Sequence, residues 1–454
     1  MPFKSIQLQF VNFKIISFFI FLLFYTNCFT QQDELEKYIP RENTSLLTNP
    51  YITLKVKIHL VYRYENDAQN YNLDSSKLIT DQVGWVNRFY KEMSPSTLEA
   101  KDKKTHFIPD SRIKFRLDTI IKIVDSVLWD RRYYALYDRP ISIDSLGFNK
   151  IYLNKRHFSR FKKVDSISVN KVNYSISKVE KIGNTAILNL TSNVSSDSTI
   201  KNIYYYRKRE LNCDRYIWEK YTNSDQNSIH VFYTGSSLNG VTFGCGPKPY
   251  FLNLTNLING GGWGNAQLLA HELGHTIGLA HTNYPQFDDL PPKDKFGFIP
   301  CNKTTVSNNI MGYNQCRNYL SPKQAAHVHQ LYSTKPSRIR LTTANEYHEE
   351  NTIDIWYDTV WNKAMIITGD IIVRKRQTLT LNRDVHLSKD SRIYLEKKAK
   401  LIVDGAIVTN HFGTKWKGIV ICKSAHKPNK KPRWSRNIAK VILKNNGEIT
   451  ETTH

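Results

Sequence analysis

Apolar and polar side chains alternate over residues 51–63 (YITLKVKIHLVYR), a run rich in β-branched and aromatic types, so a strand is predicted there. The period then changes. In 74–90 (DSSKLITDQVGWVNRFY) Leu78, Val83, Val86 and Phe89 recur at helical spacing, and Asp74 or Ser75 can cap the helix they predict. Residues 113–121 (IKFRLDTII) return to a strand pattern. Strand, helix, strand in that order implies a mixed sheet with helices packed on it. Residues 126–227 carry many tyrosines and short β-prone runs such as 184–190, and they read as a long insertion. Residues 229–234 (IHVFYT) predict a further strand, buried or at an edge. A glycine-rich passage from Gly260 to Gly264 then leads into a helix over 266–277.

Beyond about Ser337 the pattern becomes periodic. Apolar pairs that look inward occur at Ile371 and Val373, Leu379 and Leu381, and Val385 and Leu387. They recur 22 residues on as Ile393 and Leu395, Leu401 and Val403, and Ile407 with Thr409. Three short strands with one fixed period are what the rung of a parallel β-helix requires, with Gly369 and Gly405 supplying corners. An antiparallel meander with coincidental spacing is the other arrangement this pattern allows.

A chain of 454 residues is long enough for two or more domains with cores of their own. Residues 1–30 stand apart: Lys4 and Lys14 precede the apolar run 15–25, which is too short to span a bilayer and has the length of a signal-peptide core. Cleavage after Thr30 would make the protein secreted or cell-surface. An uncleaved anchor, or a lipid on Cys28, fits the flanking residues less well. No later segment is apolar enough to cross a membrane. Residues 31–50 read as a leader or short propeptide, without a cysteine to cap a metal. Of the five remaining cysteines, Cys213, Cys245, Cys301 and Cys316 can form two disulfides in an exported chain, which leaves Cys422 over. None lies in a CxxC pair, so a thiolate metal site is not expected.

The net charge of +24 is large, and 155–163 and 423–436 are the densest basic stretches. Such stretches can hold a polyanionic glycan or an acidic surface, although a solvated lysine-rich loop is the plainer reading. Nothing with base-reading geometry accompanies them, so no specific nucleic acid is expected.

The chemistry is expected on the helix 266–277, which Asn265 can cap and Gly278 can end. His271 and His275 stand four apart, so their imidazoles project from one face, one turn above each other. Gly278 allows a left-handed turn that can bring His281 to the same ion. Three neutral histidines leave a tetrahedral zinc one open corner, as in a catalytic site. Glu272, the next residue round the helix, can accept a proton from water at that ion.

The string HELGHTIGLAH, residues 271–281, resembles the HExxHxxGxxH signature of the metzincin zinc endopeptidases. Metzincins also carry a methionine-bearing turn downstream, and NNIMGY, residues 308–313, is similar to it. The resemblance implies that Met311 floors the zinc site and that Tyr313 stands near the metal, as in astacin-like, serralysin-like and pappalysin-like members. The closest likeness is to secreted pappalysin-like enzymes, supported by the helix-like stretch 321–331, although Gly312 departs from their pattern. The resemblance spans at most about 51–332.

The expected fold class is therefore, from the resemblance, a metzincin-like α+β catalytic domain over 51–336, a mixed twisted sheet with long helices, and, from the periodic pattern, a following all-β domain over 337–454, read as a short parallel β-helix. The resemblance further implies a secreted zinc endopeptidase with protein or peptide substrates, one catalytic zinc on His271, His275 and His281, Glu272 as general base and Tyr313 at the oxyanion. Gly278 and Met311 would support the site. The substrate would add a strand to a sheet edge expected between Ile229 and Leu254. Asp288, Asp289 and Asp294 could help to hold calcium. The alternative is a degenerate protease used as an adhesive protein through its basic β-helix, and intact ligands with an intact Glu272 count against it. A zinc hydrolase acting on non-peptide substrates fits this third-histidine spacing less well.

Overall fold

The computed structural model describes residues 34–453 except 44, 72–75, 104–105, 131, 137–139, 163, 171, 195–201, 211–217, 223–224, 236–242, 249, 256–261, 284, 293, 295–299, 301–304 and 423–437. The signal-peptide assignment, the whole second basic stretch, Cys213 and Cys301 therefore lie outside the described residues.

The alternating run at 51–63 becomes the central strand of the first sheet. That sheet contains β1 (Ile52–Tyr62), β2 (Ile113–Val124), β3 (Ile229–Thr234), β4 (Phe243–Lys248) and β5 (Phe251–Thr255), in the order β4-β5-β3-β1-β2. β1 pairs in parallel with both β2 and β3, and β3 with β5, while β4 runs antiparallel to β5 and forms an edge. Three helices cover this sheet: α1 (Ser76–Lys91), α2 (Gly262–Thr276) and α3 (Pro322–Thr334). Val83, Val86 and Phe89 of α1 are buried in the shared core, and the Tyr90 hydroxyl donates to the Ala270 carbonyl of α2 at 2.9 Å. Ser321 and Gln324 close a capping box at the start of α3.

The expected fold class is not matched. Helices take 20% of the chain and strands 35%, whereas a metzincin catalytic domain is helix-rich. Part of the reason lies in the stretch read as a long insertion with short β-prone runs. Between Arg132 and Glu210 it forms eight strands in a sheet of its own, with a separate core that includes Leu153, Phe161, Ile167, Leu188 and Ile203. Its longest hairpin, Val172–Ile182 with Thr185–Leu190, turns at Gly183, whose φ of +56° favours glycine.

The C-terminal region adds the rest of the strand content. Three four-stranded parallel sheets stack there, and each winding of the chain contributes one strand to each sheet. The first two windings illustrate this: Ile353–Ile355, Thr359–Trp361 and Met365–Ile367 are followed by Ile371–Val373, Thr378–Leu381 and Val385–Leu387. Ile371 pairs with Ile393 and Leu379 with Leu401, and all four are fully buried. The third pair slips by one residue. Val385 pairs with Val408, and Ile407, read as inward-facing, is 38% exposed.

Residues of the leader join these cores. Leu35, Tyr38 and Ile39 are buried against the first sheet, and the Tyr38 hydroxyl accepts from the Ala364 amide at 3.0 Å. Among the described residues no helix is long and apolar enough to cross a membrane.

Candidate metal centre

α2 begins at Gly262, earlier than expected, so Asn265 is a buried residue of its first turn and not its cap. The helix ends as the glycine predicts. Gly278 has a φ of +103°, its amide donates to the His275 carbonyl at 3.0 Å, and the Leu279 amide donates to the Gly274 carbonyl at 2.9 Å. This pair of bonds is the Schellman ending. A Cβ at Gly278 would also lie 2.9 Å from Leu331 Cδ2 of α3, so both backbone and packing require glycine. The reversal returns the chain to the ligand face of α2.

There the three histidines meet. His281 Nε2 lies 3.1 Å from His271 Nε2 and 2.8 Å from His275 Nε2. The opposite nitrogens are tied down: His271 Nδ1 donates to the Ile310 carbonyl at 2.8 Å and His275 Nδ1 to the Leu279 carbonyl at 2.9 Å. Such bonds set the tautomer and leave the Nε2 lone pairs facing one another. Burial is the main cause that keeps the rings neutral. It lowers the pKa of His271 and His275, and brings that of His281 to about 4. The triad can hold a metal ion, and it is the one His/Cys/Asp/Glu cluster of that kind among the described residues.

The other predicted residues surround it. Glu272 is buried beside the triad, and burial raises its pKa to about 7 against the opposing charge of Arg317 and a hydrogen bond from the Gly246 amide. The Tyr313 hydroxyl lies 3.1 Å from His281 Nε2. Met311 is fully buried beneath α2, and a Cβ at Gly274 would come within 2.2 Å of its sulfur. Asn309 holds the turn: its Oδ1 accepts from the Met311 amide at 2.9 Å and its Nδ2 donates to Gln324 Oε1 of α3 at 2.7 Å.

The three candidate calcium ligands do not converge. Asp289 accepts from the Ser321 hydroxyl and the Lys323 amide at the start of α3, Asp288 pairs with Lys323 Nζ at 2.6 Å, and Asp294 accepts from Thr282 and Ser307 beside the methionine turn. Their carboxylates are engaged in bracing loops, and no metal-holding group among the described residues includes them. Cys245 and Cys316 are each disulfide-bonded and Cys422 is a free thiol. Of the first basic stretch, Arg156, Arg160 and Lys162 are exposed on a short helical turn.

Several site residues escaped the sequence reading. The edge strand expected between Ile229 and Leu254 is β4, and it presses directly on Glu272. A Cβ at Gly244 would sit 2.7 Å from Glu272 Cγ, and one at Gly246 would sit 2.5 Å from the Glu272 carbonyl oxygen. The alternating glycines of FGCGPK were the available signal. Arg317 had none: it is a buried arginine whose guanidinium donates to the Gln267 carbonyl at 3.2 Å, close enough for its charge to act on Glu272, Tyr313 and all three histidines. No known family model matches the chain, and no curated protein matches it.

Proposed function

We propose that the protein is a zinc-dependent endopeptidase that works outside the cell. The observation that carries this reading is the convergence of three imidazole Nε2 atoms on one point, with the buried Glu272 next to the ligand His271 on the same helix. Nitrogen ligands of a tetrahedral zinc, with bonds of about 2.0–2.1 Å, stand roughly 3.3 Å apart. The two measured separations fall a few tenths of an ångström short of that, a gap that small ring rotations close. An all-imidazole donor set suits zinc, and three ligands leave the corner that a hydrolase needs.

Zinc bound there would polarise a scissile carbonyl and bring the pKa of a water towards about 7. Glu272 takes the proton from the attacking water and passes it to the departing amine. The Tyr313 hydroxyl donates a hydrogen bond to the charge that develops on the carbonyl oxygen. Along its free edge β4 offers backbone groups to an extended peptide, which would then lie over Glu272. The disulfides at Cys245 and Cys316 support an oxidising destination.

The test is metal removal. Metal analysis should find about one zinc per chain, and a strong chelator should abolish casein cleavage until stoichiometric zinc restores it. Cleavage that persists in chelator rejects the reading. A chain that keeps its zinc and cuts nothing favours the adhesive alternative.

A further inference from the structure

Trp263, Gln267, His271 and His275 stand four apart on α2 and so form one ridge of the helix, each step about one turn. The C-terminal half of the ridge carries two metal ligands. Its N-terminal half lines a cavity of about 260 Å³, walled by the rings of Trp85, Phe89 and Trp263 and floored by Gln267 and Arg317. The chain after the methionine turn follows the same ridge. Tyr313 stands at His281, the Gln315 carbonyl accepts from Gln267 Nε2 at 2.7 Å, and Arg317 donates to the Gln267 carbonyl. Metal site and cavity thus share two walls.

The cavity is cationic. Arg317 is only 4% exposed, Glu272 already sets a negative charge against it, and an acidic side chain entering the cavity would add a second. Arg88 adds a second positive charge at the mouth, stacked 4.9 Å from the Trp85 ring, and Glu92 is the one acid among the lining residues. A peptide laid along β4 advances about 3.3 Å per residue. One helical turn from His271 to Gln267, about 5.4 Å, is therefore the reach of a side chain next to the scissile bond.

We propose that this cavity receives the side chain of a substrate residue flanking the scissile bond, and that Arg317 selects an acidic one. The inference rests on the endopeptidase reading and adds a substrate class to it. Peptides that differ only by Glu or Gln at each flanking position test it on the full-length, zinc-loaded protein. At one position the Glu peptide should have a kcat/KM higher by on the order of 10- to 100-fold. Arg317→Met should bring that ratio to about one, and Arg317→Glu should favour a Lys peptide. Should these variants lose their melting transition, Arg88→Glu at the exposed rim should still lower the ratio several-fold. Equal cleavage of the Glu and Gln peptides by the wild type, or a ratio that survives Arg317→Met in a folded protein, overturns the inference and leaves the peptidase reading standing. A protein that cuts no peptide overturns both.

Discussion

In the C-terminal stack each winding repeats the one before. Ile371 lies beneath Ile393 and Leu379 beneath Leu401, all out of water, and parallel ladders carry the register from coil to coil. Around α2 nothing repeats. Gly244 and Gly246 face Glu272, Gly274 faces Met311 and Gly278 faces Leu331 of α3, each at a distance that a Cβ would violate. Stability in the stack is therefore spread over equivalent apolar contacts, while chemistry at the metal centre is concentrated in a few unique polar ones. A substitution in one region should leave the property of the other nearly untouched.

The largest effect is expected from Glu272→Gln. The change keeps the shape and removes the proton acceptor, so kcat should fall by roughly 10²–10⁴-fold or more while zinc content and melting temperature stay near wild type. Parallel metal analysis, calorimetry and peptide kinetics check it. A variant with full turnover would take Glu272 out of its role, and one that melts much earlier would show that function and stability are not separable there. The reverse substitution, Leu401→Ala, empties an inward site between Leu379 and Val441. It should cost about 2–5 kcal/mol in urea unfolding, with kcat/KM unchanged at temperatures where the protein is folded. A fall in kcat at full folding would show that the stack acts on the metal centre.

The two regions were also legible to different degrees, for the same physical reason. At the metal centre the reading rests on residue identity: imidazoles four apart share a helix face whatever surrounds them, and Gly278 can reverse the chain wherever it ends a helix. Identity fails where the cause is a distant neighbour. Nothing local to Gly274 says that Met311 will lie against it, nor anything local to Arg317 that it will be buried near Glu272. In the stack the 22-residue spacing points to the pairing of Ile371 with Ile393, yet it misplaces Ile407, because the extra residue before Val408 is absorbed at the left-handed Gly405. The insertion defeats both approaches. The run 184–190 is read correctly as β-prone, but other strands are as short as Ile141–Ser142 and they pair out of chain order, so a sheet is not legible as a whole. The helix-rich catalytic domain expected from the family resemblance fails there, where strands stand in place of the anticipated helical share, whereas the stack was expected to be all-β.

Tyr313→Phe sharpens the comparison at its finest grain. The hydroxyl lies within hydrogen-bond distance of His281 Nε2, yet it belongs to the loop after Met311 and contributes little to either core. Its removal should leave the melting temperature unchanged. Loss of a fully preorganised oxyanion donor costs about 10²–10³-fold in kcat. Tyr313 is only partly buried, and a bound zinc would share the same oxyanion charge. The expected loss is correspondingly smaller, about tenfold, and it should fall on kcat with KM nearly constant, because the bond is made to charge that exists only in the transition state. A rise in KM at constant kcat would instead assign Tyr313 to ground-state substrate binding. A drop in zinc content would make it a fourth ligand, leaving Glu272 to act at a site whose open corner is contested.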